Sequence, residues 1–187
     1  MALALSPLAR RRCGSAALAV FLLSARLAAT PPTEHEVKAA YLYNFLKFVE
    51  WPKQGNASAT GPFCIAILGA DPFGPVLDNT VAAKEVLGRR VTVRRVAEPK
   101  AAAGCHVVFV GRQQNVSTAG TLRLLEGTGA LTVSDEPGFA RRGGMVNFVL
   151  DEDSVGFEIN PSAAAREGLT LSPRLLQLAR IVPERAP

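Results

Sequence analysis

The sequence is poor in the residues that form catalytic and metal centres. It has two histidines, His35 and His106, and three cysteines among 187 residues. No Ser/His/Asp or Cys/His arrangement and no metal-ligand spacing accompanies them, which excludes the familiar patterns of hydrolases and zinc proteins. We therefore expect a protein that is not an enzyme, with no catalytic residue, no metal and no cofactor.

The sequence also lacks an apolar run long enough to cross a bilayer, which takes about twenty residues. Three consecutive arginines beginning at Arg10 precede apolar residues 16–23, and a small-residue cleavage site ends at Ala29. This pattern is typical of a secretory signal peptide. It predicts a leader at residues 1–29, an exported domain at residues 30–187 and no membrane insertion after cleavage. An uncleaved anchor is the alternative.

Positive charge is scarce once the leader is set aside. The leader holds four of the 21 basic residues and no acid, which leaves 17 basic residues against 16 acidic ones. A nearly neutral domain lacks the phosphate-neutralising charge that dominates affinity for nucleic acids. We therefore expect no nucleic-acid partner, and the remaining length suits a single domain.

Two cysteines remain outside the leader, Cys64 and Cys105, and each lies at the start of a predicted strand. Export would place them in an oxidising compartment, where disulfides form. The first residues of neighbouring parallel strands lie about 5 Å apart, which is within reach of a disulfide. We predict that the two are bonded, with two buried thiols as the alternative. A catalytic thiol is disfavoured because His106, adjacent to Cys105, points to the opposite face of the strand.

The apolar periodicity alternates between strand and helix along the chain. A capping box at Thr33 begins a helix that Trp51-Pro52 ends, and residues 63–68 form a continuous apolar run typical of a strand buried on both faces. Further strands are predicted at residues 91–96, 107–110 and 130–133, helices at 73–81 and 116–125, a hairpin at 146–159, and short helices after Asn160 and Ser172. The alternation predicts one α/β domain with a mostly parallel sheet, an antiparallel edge hairpin and helices on both faces.

Residues 133–160 place a glycine-rich, charged loop between apolar strands. Gly143 and Gly144 allow a positive φ or a close approach of the backbone, and Ser134 and Asp135 end a strand on the side where open α/β sheets bind ligands. The residues predicted to contact a partner or a ligand are Ser134, Asp135, Phe139, Arg141, Gly143, Gly144, Asn147 and Glu158. The structural alternatives are a turn at Ser134 and Asp135, an ion pair of Glu158 with Arg141 or Arg142, and a helix cap at Asn160.

Five segments that span nearly all of the predicted mature chain carry a family resemblance. They read AAYLYNFLKFVEWP from Ala39, FCIAILGADPFG from Phe63, CHVVFV from Cys105, VSDEPGFARRGGMVNFVLDEDSVGFEIN from Val133 and GLTLSPRLLQLARIV from Gly168. In this order they resemble the YfiR/HmsC-like family of small periplasmic proteins.

The resemblance implies a regulator located in the periplasm. It implies that the chain binds the periplasmic sensor domain of an inner-membrane diguanylate cyclase and restrains it, which lowers cyclic di-GMP and biofilm formation. It further implies a homodimer, and an outer-membrane lipoprotein that relieves the restraint by sequestering the regulator.

The residues by themselves leave other functions open. A periplasmic receptor for a small ligand would use the crevice near Ser134, Asp135 and Phe139. An enzyme with unfamiliar chemistry would show a deep cleft lined by groups with displaced pKa values. The aromatic residues of the first helix are a second candidate surface for a protein partner, if part of them stays exposed.

Overall fold

The structure, a computed structural model, describes residues 31–52, 61–112, 116–151 and 154–183. From residue 32 onward the described residues belong to one compact unit. The predicted leader and its cleavage site lie outside the described residues.

The described residues form ten strands and five α-helices. The strands are β1 (Val49–Glu50), β2 (Phe63–Leu68), β3 (Glu85–Val86), β4 (Arg89–Val96), β5 (Val107–Val110), β6 (Leu131–Ser134), β7 (Val146–Asp151), β8 (Ser154–Ile159), β9 (Thr170–Leu171) and β10 (Arg180–Ile181). The helices are α1 (Glu34–Phe48), α2 (Pro75–Val81), α3 (Thr118–Leu125), α4 (Pro161–Arg166) and α5 (Pro173–Leu178), and short 3₁₀ helices lie at Pro99–Ala102 and Ala140–Arg142.

Eight of the strands form one mostly parallel sheet, in the order β10, β8, β7, β6, β5, β2, β4, β3. The five central strands β4, β2, β5, β6 and β7 are parallel to one another. At one edge β3 is antiparallel to β4, and on the other side β8 is antiparallel to β7. This arrangement confirms the predicted α/β domain with a mostly parallel sheet and an antiparallel hairpin.

The two faces of the sheet bury different clusters, because successive residues of a strand point to opposite sides. Phe63, Ile65 and Ile67 of β2 belong to the larger cluster, which also contains buried side chains of α1, α2, α4 and α5. The residues between them belong to a smaller cluster, which includes Leu125 of α3 and Phe139 of the loop after β6. Helices therefore cover both faces, and β2 is buried along its whole length.

Local capping signals set where the helices begin. The Thr33 hydroxyl accepts a hydrogen bond from the Glu36 N–H, and the Glu36 carboxylate accepts one from the Thr33 N–H, so the predicted capping box is confirmed. Asn160 and Ser172 cap α4 and α5, each followed by proline at the first helical position.

The hairpin of β7 and β8 lies differently in the sheet than its sequence suggests. Only β8 reverses direction, because β7 pairs with β6 in parallel. Beyond β8 the carboxyl-terminal strand β10 adds a further parallel pairing, so the hairpin does not form the outermost edge. A separate two-stranded sheet of β1 and β9 was not predicted, and it joins the end of α1 to the segment between α4 and α5.

Candidate functional site

Residues 135–144, which we call the 135–144 loop, connect β6 to β7 and lie against the smaller core cluster. Phe139 is fully buried in that cluster, together with the two cysteines and residues of β2 and β5. Gly144 lies so close to the Phe139 ring that a Cβ atom added there would be 2.2 Å from the ring carbon Cε1. The loop is therefore packed onto the sheet by one aromatic side chain.

The backbone of the loop is a compact turn. The Phe139 N–H donates to the Glu136 carbonyl over 3.1 Å, and the Arg142 N–H donates to the Gly138 carbonyl over 3.2 Å. Gly143 follows the 3₁₀ helix Ala140–Arg142 with a φ of 98°, in the left-handed region that favours glycine. The two predicted glycines therefore have different structural roles. Gly143 adopts a positive φ, and Gly144 allows the close approach of the Phe139 ring.

Asn147 of β7 holds the loop from beneath through its buried carboxamide. Its Oδ1 accepts from the Phe139 N–H over 3.1 Å, and its Nδ2 donates to the carbonyls of Glu136 over 3.0 Å and Ser134 over 3.3 Å. An unpaired carboxamide would be costly at a buried position, so these bonds fix the loop relative to the sheet.

Two further buried polar residues extend this anchoring. The Ser134 hydroxyl donates to the Val110 carbonyl over 2.7 Å and accepts from the Glu136 N–H over 3.1 Å. The Asn160 carboxamide donates to the Ala140 carbonyl over 2.9 Å and accepts from the Ala163 N–H over 3.0 Å, so one side chain both caps α4 and holds the loop.

Glu158 of β8 is a buried carboxylate between two arginines. It accepts a hydrogen bond from Arg180 of β10, and its Oε1 lies 3.6 Å from Nη2 of Arg141. The pairing with Arg141 confirms one of the structural alternatives raised by the sequence. Because two cations compensate one buried carboxylate, Arg141 is not its sole partner.

Lys38 of α1 ties that helix to the start of the loop. Its ammonium lies 2.5 Å from the Glu34 carboxylate and 2.9 Å from the Asp135 carboxylate, and its side chain is almost fully buried. Burial lowers the pKa of the Lys38 ammonium, but the hydrogen bonds that it donates to Glu34 and Asp135 outweigh burial, so the net pKa is raised. Lys38 therefore stays charged and holds the loop to α1.

The structure divides the eight predicted contact residues into two groups. Five of them are buried, namely Ser134, Phe139, Gly144, Asn147 and Glu158. Asp135, Arg141 and Gly143 reach the surface, and 46% of the Arg141 side chain is exposed. The prediction that Phe139 contacts a partner requires an exposed ring. The ring is instead buried in the core.

The predicted disulfide between Cys64 and Cys105 is present, with the two Cα atoms 4.5 Å apart. His106 lies next to it, with its Nδ1 accepting from the Cys64 N–H over 3.2 Å and its ring beside Phe63 and Trp51. Burial, with a smaller contribution from the Arg89 charge, lowers the pKa of His106 to about 4. Nδ1 is an acceptor here, so the histidine is a neutral structural residue.

A cavity of about 640 Å³ opens beside the loop, at the carboxyl ends of β5 and β6. It is lined by Val110, Gly111, Arg112, Val116, Ser117, Thr118, Thr121, Ser134, Asp135, Glu136 and Pro137. This is the side of an open α/β sheet where ligands bind, as the sequence predicts for Ser134 and Asp135.

Within the part of the chain that the structure describes, no group of three or more His, Cys, Asp or Glu side chains could hold a metal ion. Over the same residues, no helix combines the length and the apolar character needed to cross a membrane.

A comparison with protein-family models decides the classification. The model described as YfiR/HmsC-like matches residues 35–180. The chain belongs to the YfiR/HmsC-like family. Its members are periplasmic regulators in diguanylate cyclase pathways, so the YfiR/HmsC-like chain has that general role.

Other comparisons add little to this assignment. No curated protein matches the chain. Among solved structures, it is similar to the ABC domain in complex with L-Trp from Streptococcus pneumonia, with 12% sequence identity and a TM-score of 0.46. That similarity covers 77% of this chain and 62% of the other, and at this level it carries no argument about function.

Two residues that the site uses, Lys38 and Arg180, were not among the predicted site residues. Lys38 lies within an apolar helical stretch, and its spacing from Glu34 was the available signal, since residues four apart share a helix face. Arg180 offered no local signal, because its pairing with Glu158 depends on the addition of β10 beside β8.

Proposed function

We propose that the chain binds the periplasmic sensor domain of an inner-membrane diguanylate cyclase and restrains the enzyme, which lowers cyclic di-GMP and biofilm formation. Family membership supports a regulatory role in such pathways. The observation that carries the binding step is the 135–144 loop, an exposed charged turn whose position is fixed by buried anchors.

A fixed loop suits recognition because a preordered surface loses less conformational entropy on binding. Asn147 and Asn160 hold the loop backbone at two carbonyls and one N–H, apart from the contacts of Phe139 with the core. The loop therefore presents its charged side chains without needing a partner to order it.

The exposed side of the loop carries charges of both signs. Arg142 donates to the Pro137 carbonyl and the Glu136 carboxylate, each over 2.7 Å, and is thereby held along the loop. Arg141 is less constrained, since Glu158 keeps Arg180 as a partner when Arg141 turns outward. Alternating exposed charges favour specificity and the rate of association over affinity alone, and Arg is enriched at protein interfaces.

The binding step can be tested with Arg141→Ala and the purified periplasmic domain of the cognate cyclase. We expect the affinity to fall by about tenfold, as for loss of an arginine contact worth about 1.4 kcal/mol, with a nearly unchanged melting temperature. Arg123→Ala, which removes an exposed arginine of α3 outside the loop, is the matched control. Equal affinities of Arg141→Ala and wild type would move the site elsewhere, with α1 as the next choice.

Two further proposals concern the oligomeric state of the regulator and the way in which its restraint of the cyclase is relieved. We infer that the regulator acts as a homodimer and that an outer-membrane lipoprotein sequesters it, as the family resemblance implies. Sedimentation equilibrium of the mature protein tests the first part, and a monomer at concentrations where the cyclase domain is bound would contradict it. Competition by the lipoprotein for the cyclase domain tests the second.

A second candidate function is a periplasmic receptor for a small ligand, and the cavity of about 640 Å³ favours it. Its volume lies within the range of ligand pockets, and the polar residues Ser117 and Thr118 are among those that line it. A ligand bound there should raise the melting temperature of the isolated protein. Deletion of a receptor should change cyclic di-GMP only when its ligand is present, whereas deletion of a restraining protein should change it without one.

A further inference from the structure

The hairpin of β3 and β4 has an unusual tip. Val86 pairs with Arg89 across the hairpin, so only Leu87 and Gly88 form the turn. Their φ values are 52° and 73°, and two positive φ values define the type I′ turn, which favours Asn-Gly. Leucine is disfavoured at the first of these positions, because its Cβ crowds the backbone when φ is positive.

Leu87 is also the most exposed of the large apolar side chains in the described residues, with 88% of its surface accessible. The stability of the fold does not explain leucine at this position. A polar residue such as asparagine would tolerate the positive φ better and would suit the exposed position better. Backbone strain of this kind is concentrated at functional sites, so the strain at the exposed Leu87 favours a role in binding.

Basic residues lie on both sides of the tip in the sequence, and a lysine of α1 lies near the hairpin. Arg89 and Arg90 follow it directly in β4, and the ammonium groups of Lys84 and Lys47 lie 4.9 Å and 4.2 Å from the Tyr43 ring centroid. The Tyr43 hydroxyl donates to the Glu85 carbonyl over 3.2 Å, which joins the hairpin to α1. Glu85 is the one acid within the hairpin, so the tip is locally basic in a mature chain that is nearly neutral.

This combination fits a lipid surface better than a protein surface. Leucine is under-represented among the residues that dominate protein interfaces, and lysine is depleted from them. An anionic bilayer attracts both, since an apolar side chain can enter the interface while lysine and arginine meet the phosphates. We propose that the Leu87-Gly88 tip docks the protein reversibly on an anionic phospholipid surface.

In this arrangement Leu87 enters the headgroup region, and Lys47, Lys84 and Arg90 face the lipid phosphates. The contact is peripheral and needs no spanning segment. One inserted leucine contributes about a tenfold gain in partitioning, and each basic residue near the surface about fivefold. Such a contact is weak alone, and it would raise the effective concentration of the protein at the membrane.

Vesicle co-sedimentation of the mature protein tests the proposal. Wild type should bind vesicles of phosphatidylcholine with phosphatidylglycerol and should bind vesicles of phosphatidylcholine alone far less, and high salt should weaken the binding. Leu87→Asn should reduce partitioning about tenfold. It should not lower the melting temperature, because Asn-Gly is the preferred pair for this turn. Arg90→Gln should reduce partitioning about fivefold.

Leu150→Asn is the matched control, since Leu150 is 61% exposed, lies beside Asp151 and shares a cavity with Lys38, whose charge is compensated by Glu34 and Asp135. Its partitioning should equal that of wild type. In Leu87→Trp, tryptophan emission should shift to shorter wavelength when anionic vesicles are added, against the background of the single native Trp51.

Three results would overturn the proposal. Wild type could fail to bind the anionic vesicles, or Leu87→Asn could bind them as well as wild type does. In the third, Leu87→Asn would weaken binding to the soluble periplasmic domain of the cyclase and leave vesicle binding intact, which would assign the tip to a protein partner. The first two leave the proposed function untouched, because the cyclase-domain assay contains no lipid.

Discussion

Phe139 is the residue whose loss should disturb the 135–144 loop most, because its ring fills the space between the loop and the sheet. Phe139→Ala should lower the free energy of unfolding by about 3–5 kcal/mol, through the lost burial and the cavity left behind. Urea unfolding measures this. Arg141→Ala is the control, since replacement of an exposed side chain typically changes the free energy of unfolding by about 0.5 kcal/mol or less. A loss near that of Arg141→Ala would mean that Phe139 does not anchor the loop.

His106 should make the stability of the protein depend on pH. Burial lowers its pKa in the folded state to about 4 from the ordinary value of 6.5, so the unfolded chain takes up a proton at a higher pH than the folded one. The stability is therefore fully present above pH 6.5 and is lost as the pH falls toward 4, by about 3 kcal/mol in all.

Urea unfolding of wild type and His106→Asn across this pH range measures the effect. Asparagine can still accept from the Cys64 N–H and does not titrate, so the difference between the two proteins separates His106 from the carboxylates. We expect the difference in free energy of unfolding to change between neutral pH and pH 4. A constant difference would show that His106 titrates normally in the folded protein.

At the scale of elements, the disulfide joins the start of β2 to the segment before β5. Cys64 and Cys105 are 41 positions apart, and closing a loop of this length stabilises the fold by about 4 kcal/mol through the lost entropy of the unfolded chain. The double variant Cys64→Ala with Cys105→Ala should lose free energy of unfolding on this scale. Mass analysis of unreduced protein from the periplasm should find no free thiol at either position.

The double variant should still bind the cyclase domain at temperatures where it is folded, because the disulfide lies in the core cluster away from the exposed side of the loop. Lost binding together with unchanged stability would give the cysteines a role beyond structure.

Elements with local signals could be predicted from the sequence. The capping box at Thr33 and the Asn160 and Ser172 caps act over three residues, and β2 is a continuous apolar run, so these patterns did not depend on the rest of the fold. The short extended segment at β9 was predicted at residues 169–171, but the two-residue strands β1 and β10 could not be predicted, because segments so short become strands only when a distant segment lies beside them.

The backbone of the candidate site could be predicted, but the burial of its polar side chains could not. The glycines of residues 133–160 correctly indicated a special backbone, since positive φ is a local property. Whether Asn147 or Glu158 faces a partner or the interior depends on contacts with residues 8 to 22 positions away in the sequence. Lys38 and Asp135, which form an ion pair, are 97 positions apart. Polar residues beside a charged loop therefore indicated an exposed cluster, while the folded chain uses them as buried anchors.

At the scale of the whole molecule, the proposed restraint should be visible in cells. Deletion of the gene should raise cyclic di-GMP and biofilm formation, because the cyclase is freed, and complementation should reverse both. A strain that lacks both the regulator and the cognate cyclase should show no rise. Cyclic di-GMP measured in these strains gives the result.

A rise that persists without the cyclase, or no rise in the single deletion, would contradict direct restraint and would favour the small-ligand receptor. Complementation with Arg141→Ala should restore the low level less well than Arg123→Ala, if the 135–144 loop makes the contact.

The division between buried anchors and exposed charges also bears on how the regulator can diversify. Asn147, Asn160 and Phe139 hold the loop from inside, so exposed residues such as Arg141 and Arg142 can be exchanged during evolution with little cost to folding. A duplicated regulator could acquire a new cyclase by changing these surface positions alone, while the inherited scaffold keeps the loop in place. Grafting the exposed residues of one family member onto another would transfer specificity between paralogous signalling systems.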